Sequence, residues 1–133
     1  MRVFLDTNVV VSAVATRGLC ADLLTAILAE HELVLGETVL GEGRTVLTRK
    51  MRIPRDTCLE FDALLRNQAT VVRAAGEGRI EGLDPADATV VAEAVAGRAD
   101  VLVSGDHDLL RLVDPPITIV SPRGLWDLLR RAT

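Results

Sequence analysis

Four acidic residues, drawn from four separate stretches of the chain, have the types and placement to do chemistry together. Asp6 ends the apolar run Val3, Phe4, Leu5, and Asp106 follows Val101, Leu102, Val103, Ser104 and Gly105. A buried strand that delivers its chain straight into an aspartate carries a desolvation cost unless the carboxylate is paired or binds something. Glu42 lies three residues after Val39 and four before Val46, which puts it at the border of a helical apolar stripe. Asp87 opens a helical stretch and precedes Val91 by four, on a stripe expected to run on to Val95 and to face the sheet. If the four converge to within about 5 Å, each like-charge pair costs roughly 3 kcal/mol at an effective dielectric near 20. Such a cluster needs protons or a cation to persist. Ligands that are all oxygen select a hard cation, Mg²⁺ or Mn²⁺. Such ions activate water and steady the leaving oxygen of a phosphodiester.

Each acid also has a local role open to it. Asp6 can cap a helix begun by 'TNVVVSAV', and Asp106 can cap 'HDLLRL'. Asp84 precedes Pro85 and reads as the N-cap of its helix, which leaves Asp87 at the third position. Glu37 competes with Glu42 but falls at a helix start, where the helix dipole accounts for it. Gly41 and Gly43 flank Glu42 and either admit a close neighbour or weaken the helix. Asn8 can add a neutral oxygen or bond within its own turn, and Ser104 can bond a carboxylate or serve the turn. Asp108 is a supporting acid or a favourable charge in a first turn. His31 and His107 have no partners in the sequence that would make either a catalyst.

The elements that must carry these residues alternate. 'RVFLD', 'ELVLG', 'ATVVRA', 'DVLVSG' and 'ITIVS' are short apolar runs suited to buried strands. Between them, 'ADLLTAILAEH', 'ETVLGEGRTVLTRK', 'PRDTCLEFDALLRNQ', 'DPADATVVAEAVAGRA' and 'PRGLWDLLRRA' read as helices. The alternation predicts an α/β fold with a mainly parallel sheet of about five strands flanked by helices, as one domain over residues 1–133. Hydrophobic residues make up 49% and aromatics only 2%, so the core must be aliphatic. Ligands of such sheets sit beyond the carboxyl ends of the strands. Asp6 and Asp106 are expected at that edge.

A net charge of −4 argues mildly against binding nucleic acid by bulk charge. The distribution says more. Residues 43–55 contain no acid but hold Arg44, Arg49, Lys50, Arg52 and Arg55, which suit either phosphates or a solvated helix end. Cys20 and Cys58 have no metal spacing and read as free thiols. No stretch has the length of a membrane span and none reads as a signal peptide, so a cytoplasmic protein is expected. P-loop, dinucleotide and nucleophile-elbow motifs are absent.

With these residues in view, the chain resembles the PIN-domain family, in particular the VapC-like toxin ribonucleases. 'VFLDTNVVVSA' is similar to the family's opening, with Asp6 as first acid and Asn8 beside it. 'VLGEGRTVL' resembles the helix with the second acid, which maps to Glu42. There Gly43 stands where the family often has a large apolar residue. 'DPADATVVAEAVAGRADVLVSGDHDLL' resembles the long final motif, with Asp87 and Asp106 as third and fourth acids and Ser104 at a Thr/Ser position. The resemblance implies a PIN-like three-layer sandwich and an endoribonuclease dependent on Mg²⁺ or Mn²⁺. It further implies a homodimer neutralised by a small antitoxin. Two alternatives remain: a haloacid-dehalogenase-like phosphatase with Asp6 as nucleophile, and a non-catalytic module that binds RNA or protein. The phosphatase pattern wants a second aspartate where this chain has Asn8.

Overall fold

The computed structural model describes residues 1–76 and 78–131. Five strands form one sheet: β1 (Arg2–Leu5), β2 (Glu32–Gly36), β3 (Thr70–Val72), β4 (Val101–Val103) and β5 (Thr118–Val120). Their order is β3-β2-β1-β4-β5, and every neighbouring pair is parallel. The mainly parallel sheet expected from the alternation is thus wholly parallel. Parallel strands are buried on both faces, which is why they read as continuous apolar runs. Val3, Phe4, Val34, Leu35, Leu102 and Val103 are all fully buried.

Helices fill the connections: α1 (Thr7–Ala15), α2 (Leu19–Glu30), α3 (Glu37–Thr45), α4 (Arg55–Gln68), α5 (Pro85–Ala96), α6 (His107–Leu110) and α7 (Pro122–Arg131). The α1–α2 connection runs from β1 outward to β2, whereas α5 runs back from β3 to β4. Right-handed crossovers therefore set them on opposite faces. The direction of winding reverses between β1 and β4, and a crevice opens at the carboxyl ends of two such strands. Among the described residues no single helix is long and apolar enough to cross a membrane.

Two apolar stripes differ from expectation. On α5 the buried side runs through Ala88, Val90, Val91 and Ala94, while Val95 is exposed. The spacing of three from Val91 to Ala94 keeps the smaller residue against the sheet. The helix expected across residues 37–50 changes character instead: α3 ends at Thr45 and Val46–Lys50 form a π-helical turn. Val46 N–H is shared between the Glu42 and Gly43 carbonyls, and Met51 N–H reaches back to Val46 O. Gly41 and Gly43 lower the cost of departing from α geometry just before this point.

Gly43 is buried beside Val11 and borders a small apolar cavity lined by Val10, Leu40, Leu47, Phe61 and Leu65. A Cβ added there would meet only Val11 Cγ2, at an ordinary 3.9 Å. Neither flanking glycine is needed for a close approach. Gly43→Ala should therefore stabilise the protein by about 0.5–1 kcal/mol, through helix propensity and added packing. A higher urea midpoint with an unchanged slope would show it; a lower midpoint would mean the cavity wall cannot accept a methyl.

Candidate active site

The register of the sheet continues into the site. Leu5 pairs with Val103, and the Asp6 amide extends the ladder by donating to the Val103 carbonyl at 2.9 Å. Asp6 and Ser104 thus leave adjacent strands side by side. Ser104 is fully buried and Asp6 is only 7% exposed. Ser104 Oγ donates to Asp6 Oδ2 at 2.6 Å and accepts the Asp106 backbone N–H at 3.0 Å. One hydroxyl therefore ties the first acid to the backbone of the last.

The caps are real as well. Asp6 Oδ1 accepts the Thr7 N–H at 2.8 Å at the start of α1. Asp106 Oδ1 accepts the Asp108 N–H at 2.8 Å and caps α6. Asp84 Oδ1 accepts the Ala86 N–H and caps α5, as expected. Capping and membership of the cluster turn out to be compatible. A capping carboxylate is held at its helix start with its remaining lone pairs available.

Glu42 joins through a residue that the sequence did not single out. Thr7, only 8% exposed, donates its hydroxyl to Glu42 Oε1 at 3.1 Å. Thr7 follows Asp6 directly, so one peptide unit carries both the first acid and the partner of the second. A polar residue wedged between a buried strand and Asn8 was the available signal. Asn8 itself is exposed on the first turn of α1.

The electrostatics show the four acids sharing one field. Burial pushes the Asp6 carboxyl up; the bonds from Ser104 and Thr7 oppose this, and the charge of Asp106 adds to it. Glu42, an exposed residue on α3, is also raised, first by partial desolvation, against the Thr7 bond, with repulsion from Asp6 and Asp84. Asp87 is pushed up to about 6, first by burial and then by Asp106, Asp84, Asp6 and Glu42. Asp84 thus adds charge to the cluster beyond its capping role. None of the ion pairs among the described residues involves these acids. Nor are three or more His, Cys, Asp or Glu side chains there set closely enough to hold a metal ion as they stand.

The basic stretch is divided. Arg44 pairs with Asp62 of α4 at 3.2 Å, and Asp62 also takes Arg66 at 2.9 Å. Arg49, Lys50, Arg52 and Arg55 are exposed, and Arg52 holds a left-handed φ of 53° at the turn into α4. Arg44, Thr48 and Arg55 line a shallow groove with Cys58 and Leu59. Asp108 is exposed in the first turn of α6. His31 lies 3.5 Å from the amino terminus and away from the acids, and His107 is exposed.

A PIN-domain family model matches residues 2–108, from β1 into α6. The chain belongs to the PIN-domain family. All the acids discussed above fall within the matched part of this PIN domain. Among solved structures it is similar to a chain in the crystal structure of VapBC2 from Rickettsia felis bound to a DNA fragment from their promoter. The TM-score is 0.67 at 14% identity, covering 91% of this chain and 98% of that one. At such identity the likeness is one of fold. No curated protein matches the PIN domain described here.

Proposed function

We propose that this PIN domain is a metal-dependent endoribonuclease that hydrolyses RNA phosphodiester bonds and forms the toxin half of a type II toxin–antitoxin pair. The observation that carries the nuclease reading is the Ser104 bridge between Asp6 and Asp106, with Glu42 and Asp87 in the same electrostatic field. A cluster of carboxylates without a paired cation resists ionisation, and its oxygen-only donor set matches a hard divalent ion. Asp6, Glu42, Asp87 and Asp106 would hold Mg²⁺ or Mn²⁺ on drawing closer together than they stand here. When bound, that ion supplies a Lewis acid that activates water and offsets charge on the phosphodiester.

The chain's own groups do the positioning. Ser104 holds Asp6 Oδ2 and the backbone at Asp106, and Thr7 holds Glu42 Oε1. Asp108 supports the start of α6 through its amide to Asp106. The exposed Arg49, Lys50 and Arg52 would take RNA phosphates, and Arg44 would add to them only by leaving Asp62. The fold shared with a VapBC2 chain supports the antitoxin partner. Homodimer formation and a cytoplasmic setting follow from the family resemblance. The phosphatase alternative wants a second aspartate two residues after Asp6, and that position is Asn8, exposed on α1.

The test is cleavage of single-stranded RNA, beside DNA of the same sequence, with Mn²⁺, with Mg²⁺ and with chelator. RNA cleavage that needs the metal and spares DNA is expected. Metal-independent RNA binding without cleavage of any substrate would favour a non-catalytic module instead.

A further inference from the structure

Glu93 is a buried acid that the proposed chemistry does not use. It sits on α5, six residues after Asp87, and is 1% exposed. Burying a carboxylate among aliphatic side chains is costly unless its oxygens are bonded. Here they face the start of another helix. The Thr38 N–H lies 3.2 Å from Glu93 Oε1 and 3.4 Å from Oε2. The Thr38 side chain and the Ala74 backbone also favour its ionised form, opposing the upward push of burial on its pKa.

The first turn of α3 requires such an acceptor. Its N-cap is Gly36, which has no side chain to offer. Glycine is also what lets the carboxylate in. A Cβ at position 36 would fall 2.3 Å from Glu93 Oε1 and 3.1 Å from Glu93 Cβ. The helix is thus capped from outside its own chain segment, by a side chain of α5. Glu42 stands one turn beyond Thr38 on α3, and Asp87 stands on α5.

We propose that Glu93 is a positioning residue: by accepting the Thr38 amide it ties α3 to α5 and sets Glu42 against Asp87 across the acidic cluster. This rests on the nuclease reading of that cluster only for its catalytic consequence. A role in packing alone predicts something different. Replacing a buried charged group by a well-packed apolar one is often neutral or stabilising.

The experiment compares the wild-type chain with Glu93→Leu and Glu93→Gln. It measures kcat and KM for RNA cleavage in Mn²⁺, and amide hydrogen exchange at Thr38 without metal. Gln keeps a carbonyl that can accept the Thr38 N–H; Leu keeps only volume. Glu93→Leu should lower kcat about tenfold at little change in KM, since small misplacements of a catalytic group have effects of this order. Glu93→Gln should stay within about threefold of wild type. Thr38 exchange should quicken about tenfold in Leu and little in Gln, as local opening of the first turn becomes easier. Wild-type kcat and exchange in Glu93→Leu would overturn the proposal, as would equal losses in both variants. A wild type that cleaves nothing would defeat the nuclease reading, and Thr38 exchange would still decide the tie between helices. Should Glu93→Leu not fold, Gly36→Ala displaces the same carboxylate and should quicken the same exchange; unchanged exchange there overturns the proposal.

Discussion

Asp6→Asn should abolish metal-dependent RNA cleavage, with a loss of at least about a hundredfold, while leaving the fold intact. Even groups that only orient metal ligands are worth about 10–100-fold, so a direct ligand should lie at or beyond that range. The substitution keeps shape but removes the charge at the position where two strand ends meet. Asn can still accept the Thr7 N–H with its carbonyl oxygen, and its amide can donate to Ser104 Oγ, which now donates to Asp6. The local structure therefore has a way to persist. Stability should move in the opposite direction to activity. Burial raises the Asp6 pKa, so its ionised form opposes folding at neutral pH. Removing that charge should raise the metal-free melting temperature at pH 7 or leave it unchanged. Such a trade is usual where a site holds groups the fold alone would not choose. Cleavage equal to wild type would remove Asp6 from the mechanism. A strongly lowered melting temperature would show instead that the Asp6 carboxylate stabilises the fold, against the sign of its raised pKa.

The second large effect is a linkage between pH, metal and stability at Asp87. Its folded pKa is about 6 against an ordinary 3.8. Between those values the folded state binds more protons than the unfolded state. Stability must therefore fall as pH rises through that window, and this contribution levels off above about pH 6. Metal-free wild type should lose melting temperature between pH 4 and pH 7 relative to Asp87→Asn, which lacks the titrating group. Other acids titrate in both proteins, so the difference between the two curves isolates Asp87. A divalent cation should reverse the trend. At a hundred times its Kd, a ligand specific to the folded state adds about 2.7 kcal/mol. The gain from Mn²⁺ should be largest at pH 7 and shrink at pH 5, where protons compete for the same oxygens. Parallel wild-type and Asp87→Asn curves, with no response to Mn²⁺ at pH 7, would mean that these acids do not cooperate in holding a cation.

The strands were legible because each is a short aliphatic run with no polar interruption, as a sheet covered on both faces demands. The strand-end acids Asp6 and Asp106 were legible for the same reason: a polar residue at the end of such a run is conspicuous. Asp84 declared its cap through Pro85. Less could be read where contacts come from distant segments. Val95 continues the helical period from Val91, yet it lies outside the buried face because Ala94 packs against the sheet. The 37–50 stretch has one apolar stripe, but a shared hydrogen bond at Val46 turns its second half into a π-helical turn.

The sequence by itself determined the alternation, the aliphatic core and which acids end which elements, because these depend on neighbours along the chain. It left each acid divided between capping and chemistry. Tertiary structure showed that a cap leaves a carboxylate able to meet a distant partner: Asp6 caps α1 while Ser104, 98 positions away, holds its other oxygen. Only folding could also reveal Thr7 as the partner of Glu42 and Glu93 as the cap of α3. Neither follows any periodicity, since each is a bond between helices that parallel strand order brings together.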